Sequence, residues 1–220
     1  MEDLYRITMR KEQKILGVLG ILLPLLSVGF GLFGYWRGTN EPGWYESISA
    51  TYYANSRMMM IGLLFALSIY YWAYKGYDII DNIVTSVAAV MAMAIVMFPC
   101  ADGRATTEEF VGLFCLPLKA SGIIHTACAV ILYVSFFIQT CRFMKHGDNI
   151  TDEKRKRNKV YICCLAMMLF GMLFILATNV ISSLKEYHYF VLIGECFLQL
   201  AFGTAWLVKA GCINALNDKE

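Results

Sequence analysis

Charged side chains are scarce in this sequence, and no stretch of it is polar enough to form a separate soluble domain. Only 16% of the 220 residues are charged, whereas 58% are hydrophobic. The mean hydropathy of +0.54 also lies above the usual range of soluble proteins. The sequence has no repeat of fixed period and no low-complexity tract, so nothing divides it into separate units. These absences exclude an ordinary soluble protein and indicate a single integral membrane domain over residues 1–220.

The hydrophobic residues lie in six continuous stretches, each close to the ~20 residues that an α-helix needs to cross ~30 Å of hydrocarbon. Transmembrane strands alternate apolar and polar residues, which these stretches do not. The first stretch ends in bulky aromatic residues, so we expect it to remain in the mature chain rather than to act as a signal peptide. The sequence therefore predicts an all-α fold, a polytopic six-helix transmembrane bundle. The predicted spans are Ile15–Trp36, Met58–Tyr74, Ile83–Pro99, Gly122–Cys141, Val160–Val180 and Phe190–Val208.

The distribution of lysine and arginine predicts the orientation of this bundle. With six spans both termini lie on the same side, and most of the basic residues lie on that side as well, including the run Lys154–Lys159. Because basic residues mark cytoplasmic loops, we expect a multi-pass protein of the cell membrane with both termini in the cytoplasm. We interpret the basic run as a topology signal, with contact to anionic lipid headgroups as the alternative and no nucleic-acid partner.

Two ionisable residues lie inside predicted spans, where a charge is costly. Glu195 lies in the sixth span and His125 about one turn into the fourth, so both fall ~5 to 10 Å inside the outer boundary. A hydrogen-bonded or ionic pair between them would offset much of their desolvation cost. Gln199 lies on the same helical face as Glu195, four residues further on. We expect a functional site here; the alternative is a polar contact that only holds two helices together.

The polar segment before the second span is predicted to complete this outward-facing site. Hydroxyl, amide, guanidinium and paired tyrosine side chains follow one another there. Polar backbone persists at membrane depth only when it is buried in protein or lines a wet cavity, so a re-entrant or interfacial segment is expected, with an ordinary interfacial loop as the alternative. Together with His125, Glu195 and Gln199, the predicted ligand-binding residues are Ser47, Ser49, Tyr52, Tyr53, Asn55, Arg57 and Asp102.

Two cysteines flank the outer loop between the third and fourth spans. Cys100 and Cys115 face the oxidising side in this topology, so a disulfide that closes the loop and a pair of thiols are both open alternatives. A zinc ion could take thiolate and imidazole ligands from Cys100, Cys115 and His125 together with Asp102. No CxxC or HxxxH spacing supports such a site, so no metal or other cofactor is expected.

The order of short motifs along nearly the whole chain resembles a known group of membrane proteins. The motifs are Ser47–Tyr53 before the second span, Tyr74–Asp78 after it, Phe98–Pro99 at the end of the third, His125 in the fourth, and Gly194–Glu195 with Phe202–Lys209 in the sixth. They resemble uncharacterised prokaryotic six-span membrane proteins of the domain-of-unknown-function 998 family. This resemblance implies a fold and no activity.

A more distant similarity is to the CREST superfamily of membrane hydrolases, which includes alkaline ceramidases. That superfamily uses Ser, Asp and several His residues around zinc. Ser49, Asp102 and His125 would be the matching residues, and this chain has one intramembrane histidine in place of several.

Three functions remain open from the sequence. The first is binding of a lipid or small amphiphile by the outward-facing site, with membrane lipids as the partners. The second is a lipid hydrolase or transferase with His125 or Glu195 as general base and Ser49 as nucleophile, which requires hydrogen-bond proximity among them. The third is a proton-coupled transporter or an oligomeric channel, which requires a polar path through the inner half or along the axis of a homo-oligomer.

Overall fold

The structure is a computed structural model that describes residues 2–37, 47–101, 106–145, 151–181, 184 and 189–218, without the side chains of residues 2–6 and 35. Asp102, a predicted site residue, therefore lies outside the described residues. The described part of the chain is almost entirely helical, which confirms the predicted all-α fold class. Its helices are α1 (Glu2–Trp36), α2 (Arg57–Ala73), α3 (Ile79–Met97), α4 (Leu118–Lys145), α5 (Asp152–Val180) and α6 (Tyr189–Lys209).

Five of these helices are long and apolar enough to cross a membrane, which supports an integral membrane protein. They are α1, α3, α4, α5 and α6, whereas α2 is apolar but has only 17 residues. Several helices extend beyond the predicted spans, most clearly α1, which begins at Glu2 rather than Ile15.

The helix α5 also begins before its predicted span and takes in the basic run Lys154–Lys159. The helix α5 starts early because the Thr151 side chain caps it by accepting from the Lys154 N–H, and because Asp152 and Glu153 suit the positive end of a helix.

The helices form a closed ring, in which each packs against its neighbours in sequence and α1 packs against α6. Aromatic side chains fill the middle of the ring. The rings of Phe136 in α4 and Phe202 in α6 stack at 4.0 Å, and the indole of Trp206 donates to the Tyr71 hydroxyl at 3.2 Å. All four side chains are almost completely buried, so large apolar groups occupy the centre of the bundle.

Two short elements lie at one end of the ring, where no regular structure was predicted. A 3-10 helix at Ser49–Tyr53, which we call the plug, packs against α2 and α1. A small antiparallel hairpin of β1 (Phe110–Val111) and β2 (Leu116–Pro117) precedes α4. We call this end of the ring the plug end; the opposite end carries the first residues of α1 and the last residues of α6.

Glycine pairs let α6 approach both of its main neighbours closely. A Cβ atom on Gly203 of α6 would lie 2.7 Å from the carbonyl oxygen of Gly17 in α1. In the same way, a Cβ atom on Gly171 of α5 would lie 2.7 Å from the carbonyl oxygen of Gly194 in α6. Small residues at such contacts allow van der Waals packing of helix backbones in a membrane. Because Glu195 follows Gly194, the α5–α6 contact also fixes the position of this site residue.

Charged residues join α3 to α4 at the opposite end. The Arg142 guanidinium pairs with Asp81, which is fully buried, and with Asp78. Asp78 is also the N-cap of α3, since its carboxylate accepts from the Asp81 N–H at 2.9 Å. The Asp81 N–H, and after it the Arg142 guanidinium, outweigh burial and hold the pKa of Asp78 below its usual value.

We predict that Gly203→Val lowers the free energy of unfolding by ~1 to 3 kcal/mol, because the added atoms overpack the α1–α6 contact. The matched control is Gly62→Val in α2, where an added Cβ meets no atom within 4 Å. The measurement is the thermal stability of both variants in detergent. Equal losses in the two variants would contradict a close α1–α6 contact.

A second prediction concerns pH and Asp78. Asp78→Asn keeps an acceptor for the cap and removes the charge that pairs with Arg142. A carboxylate with a lowered pKa stabilises the fold above its unfolded-state pKa of about 3.9, and that contribution is lost as the pH falls through the lower native value. The variant should therefore melt at a lower temperature than the parent at pH 7, and the gap should shrink as the pH is lowered from about 4. A gap that stays constant from pH 7 to the acid limit would be inconsistent with this ion pair.

Candidate ligand-binding site

The Ser49 hydroxyl meets the His125 imidazole at the plug end. The His125 Nε2 atom lies 3.0 Å from Ser49 Oγ, and its Nδ1 atom lies 2.7 Å from the Phe98 carbonyl oxygen. A carbonyl oxygen only accepts hydrogen bonds, so Nδ1 carries the proton, and in the neutral ring Nε2 accepts from the Ser49 hydroxyl. His125 is buried, with 5% of its surface exposed, while Ser49 is half-buried.

The extended segment after α3 supplies the carbonyl that orients this imidazole. Pro99 has no N–H and disfavours a helical conformation at the preceding residue, so α3 ends at Met97. Three successive carbonyl oxygens then accept from side chains of other elements. The Phe98 carbonyl accepts from His125 at 2.7 Å, and the Pro99 carbonyl accepts from the Ser121 hydroxyl at 2.8 Å. The Cys100 carbonyl accepts from the Tyr53 hydroxyl at 2.7 Å. The segment thereby ties α4 and the plug together.

Glu195 holds the residue next to Ser49. Its Oε2 atom accepts from the Ile48 backbone N–H at 2.5 Å, and the side chain is 7% exposed. Glu195 and His125 therefore bind consecutive residues of the plug segment, whereas the sequence suggested that they would pair directly.

Several buried polar atoms near the plug have no hydrogen-bond partner among the described residues. They are Ser27 Oγ, Ser56 Oγ and Gln199 Oε1. Ser56 lies between the plug and α2, and Gln199 lies one turn from Glu195, within hydrogen-bonding reach of Tyr133, which itself lies close to Glu195. An unsatisfied buried polar group costs about 1 to 3 kcal/mol, so each requires an explanation.

Helix register places Ser27 at the depth of Glu195. The glycine contacts show that α1 and α6 are antiparallel, because Gly17 lies against Gly203 and Leu207 while Gly20 lies against Phe202. At the helical rise, Ser27 is about 15 Å beyond Gly17 and Glu195 about 12 Å before Gly203. The two residues therefore lie at nearly the same level. Gln139 in α4 also has unpartnered buried atoms, but it is about 21 Å along that helix from His125.

The exposed edge of the site consists of aromatic and cationic side chains. The Arg57 guanidinium lies 4.7 Å from the centroid of the Tyr52 ring and donates to the Tyr52 carbonyl oxygen. The Tyr52 and Tyr53 rings meet edge to face at 5.1 Å. Asn55 and Arg57 are exposed. A cation over an aromatic ring keeps its charge available at the surface.

The structure therefore gathers most of the predicted residues at the plug end. Ser49, His125, Glu195 and Gln199 lie inside, and Ser47 caps the plug by accepting from the Ala50 N–H at 3.0 Å. Sequence reasoning missed Ser27, Ser56, Tyr133 and the backbone groups of Ile48 and Phe98. Polar residues in apolar runs were a signal for Ser27 and Tyr133, but backbone partners leave no signal in residue type.

The metal and disulfide hypotheses stay predictions. No group of three or more potential metal ligands occurs among the described residues, and the zinc hypothesis depends on Asp102, which lies outside them. The sulfur atoms of Cys100 and Cys115 are not bonded to each other in this structure.

Comparison with protein-family models, with curated proteins and with solved structures gave no match in any of the three. The resemblance to the domain-of-unknown-function 998 family therefore stays a prediction. The class of the protein follows from its own structure, in which five apolar helices of membrane-spanning length indicate a multi-pass membrane protein.

We predict that Glu195→Ala destabilises the fold by about 1 to 3 kcal/mol, because it leaves the buried Ile48 N–H without an acceptor. Glu195→Gln should cost less, since an amide oxygen can still accept. Lys156→Ala, at an exposed position of α5, serves as the control and should have little effect. Thermal unfolding in detergent measures all three, and equal stability of Glu195→Ala and Lys156→Ala would contradict a structural role for this hydrogen bond.

Proposed function

We propose that this chain is a six-span membrane protein with cytoplasmic termini, and that its plug-end site binds the polar group of a lipid or small amphiphile of the outer leaflet. The sixth span is α2, whose 17 residues match the lower end of the ~17 to 25 that suffice for a membrane helix. The orientation is supported by the basic residues gathered at the end opposite the plug, including the run in α5.

One observation carries the binding proposal. The buried side chain of Glu195 and the unpartnered oxygen atoms of Ser56 and Gln199 belong to the elements that meet at the plug end, and the unpartnered Ser27 Oγ lies in α1 at the depth of Glu195. A carboxylate and an amide oxygen both accept hydrogen bonds, so a ligand with hydroxyl or ammonium donors would satisfy them. Such hydrogen bonds would stabilise the complex strongly, because unsatisfied polar groups cost more free energy when they are buried away from water.

The exposed edge of the site adds a preference for a negatively charged group. The exposed Arg57 guanidinium is held over Tyr52, and guanidinium groups bind phosphate through two parallel hydrogen bonds. The ligand that fits both parts of the site has hydrogen-bond donors at one end and a phosphate at the other. The headgroup of a phospholipid with an amino or hydroxyl group has this arrangement. The acyl chains would remain among the apolar outer faces of the helices.

A transport path through the centre of a single chain receives no comparable support. Below the plug, the centre of the ring is filled by Tyr71, Phe136, Phe202 and Trp206. Among the described residues, these large aromatic side chains occupy the centre of the ring below the plug.

The test is binding of defined phospholipids to the purified protein in detergent, followed by native mass spectrometry and thermal stabilisation. The probes are phosphatidylethanolamine and phosphatidylglycerol, with phosphatidylcholine as the lipid whose headgroup has no donor. We expect the first two to bind more tightly, and Gln199→Leu to weaken that binding about tenfold, which corresponds to about 1.4 kcal/mol.

Gln139→Leu is the matched control, because Gln139 is also a buried glutamine with unpartnered atoms but lies far along α4 from the site. It should leave the affinity unchanged. Equal affinity for all three lipids, or equal losses in the two variants, would overturn the proposal.

A further inference from the structure

Ser49 and His125 have the arrangement of a nucleophile and its general base. Their Oγ and Nε2 atoms are 3.0 Å apart, within the ~2.6 to 3.2 Å over which a base can take the proton of a nucleophile. The imidazole is also oriented by a third group, since its Nδ1–H donates to the Phe98 carbonyl oxygen at 2.7 Å. This bond leaves the Nε2 lone pair directed at the serine hydroxyl.

The neighbouring polar groups do not compete with Ser49 for the His125 imidazole. The Tyr53 hydroxyl is occupied by the Cys100 carbonyl oxygen, and Glu195 is occupied by the Ile48 N–H, so neither replaces Ser49 on the imidazole. Ser49 is half-buried while His125 is enclosed. The nucleophile therefore lies on the accessible side of the pair and the base behind it.

We propose that Ser49 is an acyl-accepting nucleophile with His125 as its general base, and that the plug-end site transfers acyl groups from ester-containing amphiphiles of the outer leaflet to water or to a second alcohol. This inference rests on the proposed function, because the same site must first admit the amphiphile. It adds a covalent reaction to binding and names the substrate class as acyl esters.

The reaction balances without an oxidant or a reductant. Ser49 Oγ forms a bond to the ester carbonyl carbon as Nε2 takes the hydroxyl proton. The bond from that carbon to the leaving oxygen then breaks, and the alcohol leaves with the proton from Nε2. Water or a second alcohol attacks the acyl-serine and gives its proton to Nε2, after which Ser49 Oγ leaves and recovers that proton. The Phe98 carbonyl oxygen holds Nδ1–H throughout.

The experiment is covalent labelling of the full chain in lipid nanodiscs with a fluorophosphonate probe, which reacts with activated serine hydroxyls. Peptide mass spectrometry of the unaltered protein reads the labelled residue directly, so the result does not depend on the folding of a variant. We expect a single modification on Ser49. His125→Gln should slow labelling by at least about 100-fold, because an amide preserves both hydrogen bonds but is not a base.

Ser135→Ala is the control, since the Ser135 hydroxyl only donates to the Ile131 carbonyl oxygen within α4 at 2.8 Å and lies about 15 Å along that helix from His125, and this variant should label at nearly the rate of the parent. Absence of label on Ser49, or labelling that His125→Gln leaves unchanged, would overturn the acyl-transfer inference. The lipid-binding measurement separates the two proposals: retained binding without labelling removes only the reaction, whereas loss of specific binding removes the proposed function as well.

Discussion

The hydrogen bond between the Ile48 N–H and the Glu195 carboxylate allows a non-helical segment to enter the bundle. Irregular backbone at membrane depth must find partners within the protein, because lipid offers none. Ile48 is 4% exposed, and its N–H lies before the first turn of the plug, where no helical acceptor exists. The carboxylate supplies that acceptor at 2.5 Å. The same constraint explains the extended chain after α3, whose three carbonyl oxygens accept from Tyr53, Ser121 and His125.

Helix packing decides where these side chains lie. Glu195 belongs to α6, the most buried of the apolar helices. Glycine contacts with α5 and α1 on either side of Glu195 fix the depth of α6 within the ring. His125 reaches the same plug from α4, on the other side of the ring. Two residues 70 positions apart in the chain therefore act on one short segment.

Hydropathy predicted the helices well because the preference of a side chain for lipid is a local property that needs no knowledge of the fold. Helix ends were harder to predict from the sequence, since the start of α5 depends on the Thr151 cap and the end of α3 on Pro99. The cost of burying charge marked Glu195 and His125 as site residues. Their partners could not be deduced, because Ile48 N–H and the Phe98 carbonyl are backbone groups, which every residue carries. The depth of Ser27 relative to Glu195 follows from the register of α1 against α6, which depends on which glycines meet.

The hydrogen bonds on the two sides of the plug have different roles. On the α6 side, the Glu195 carboxylate holds the Ile48 backbone. Moving the plug away would leave the buried Ile48 N–H without its acceptor, at a cost of about 1 to 3 kcal/mol. On the α4 side, the Ser49 hydroxyl can lose its proton to His125 without any movement of the backbone, because both ring nitrogens already face their partners. A nucleophile fixed by packing and by a neighbouring anchor needs little reorganisation at the moment of reaction. The rigidity that the membrane imposes on the plug is thus the condition under which a serine and a histidine could act as a reactive pair.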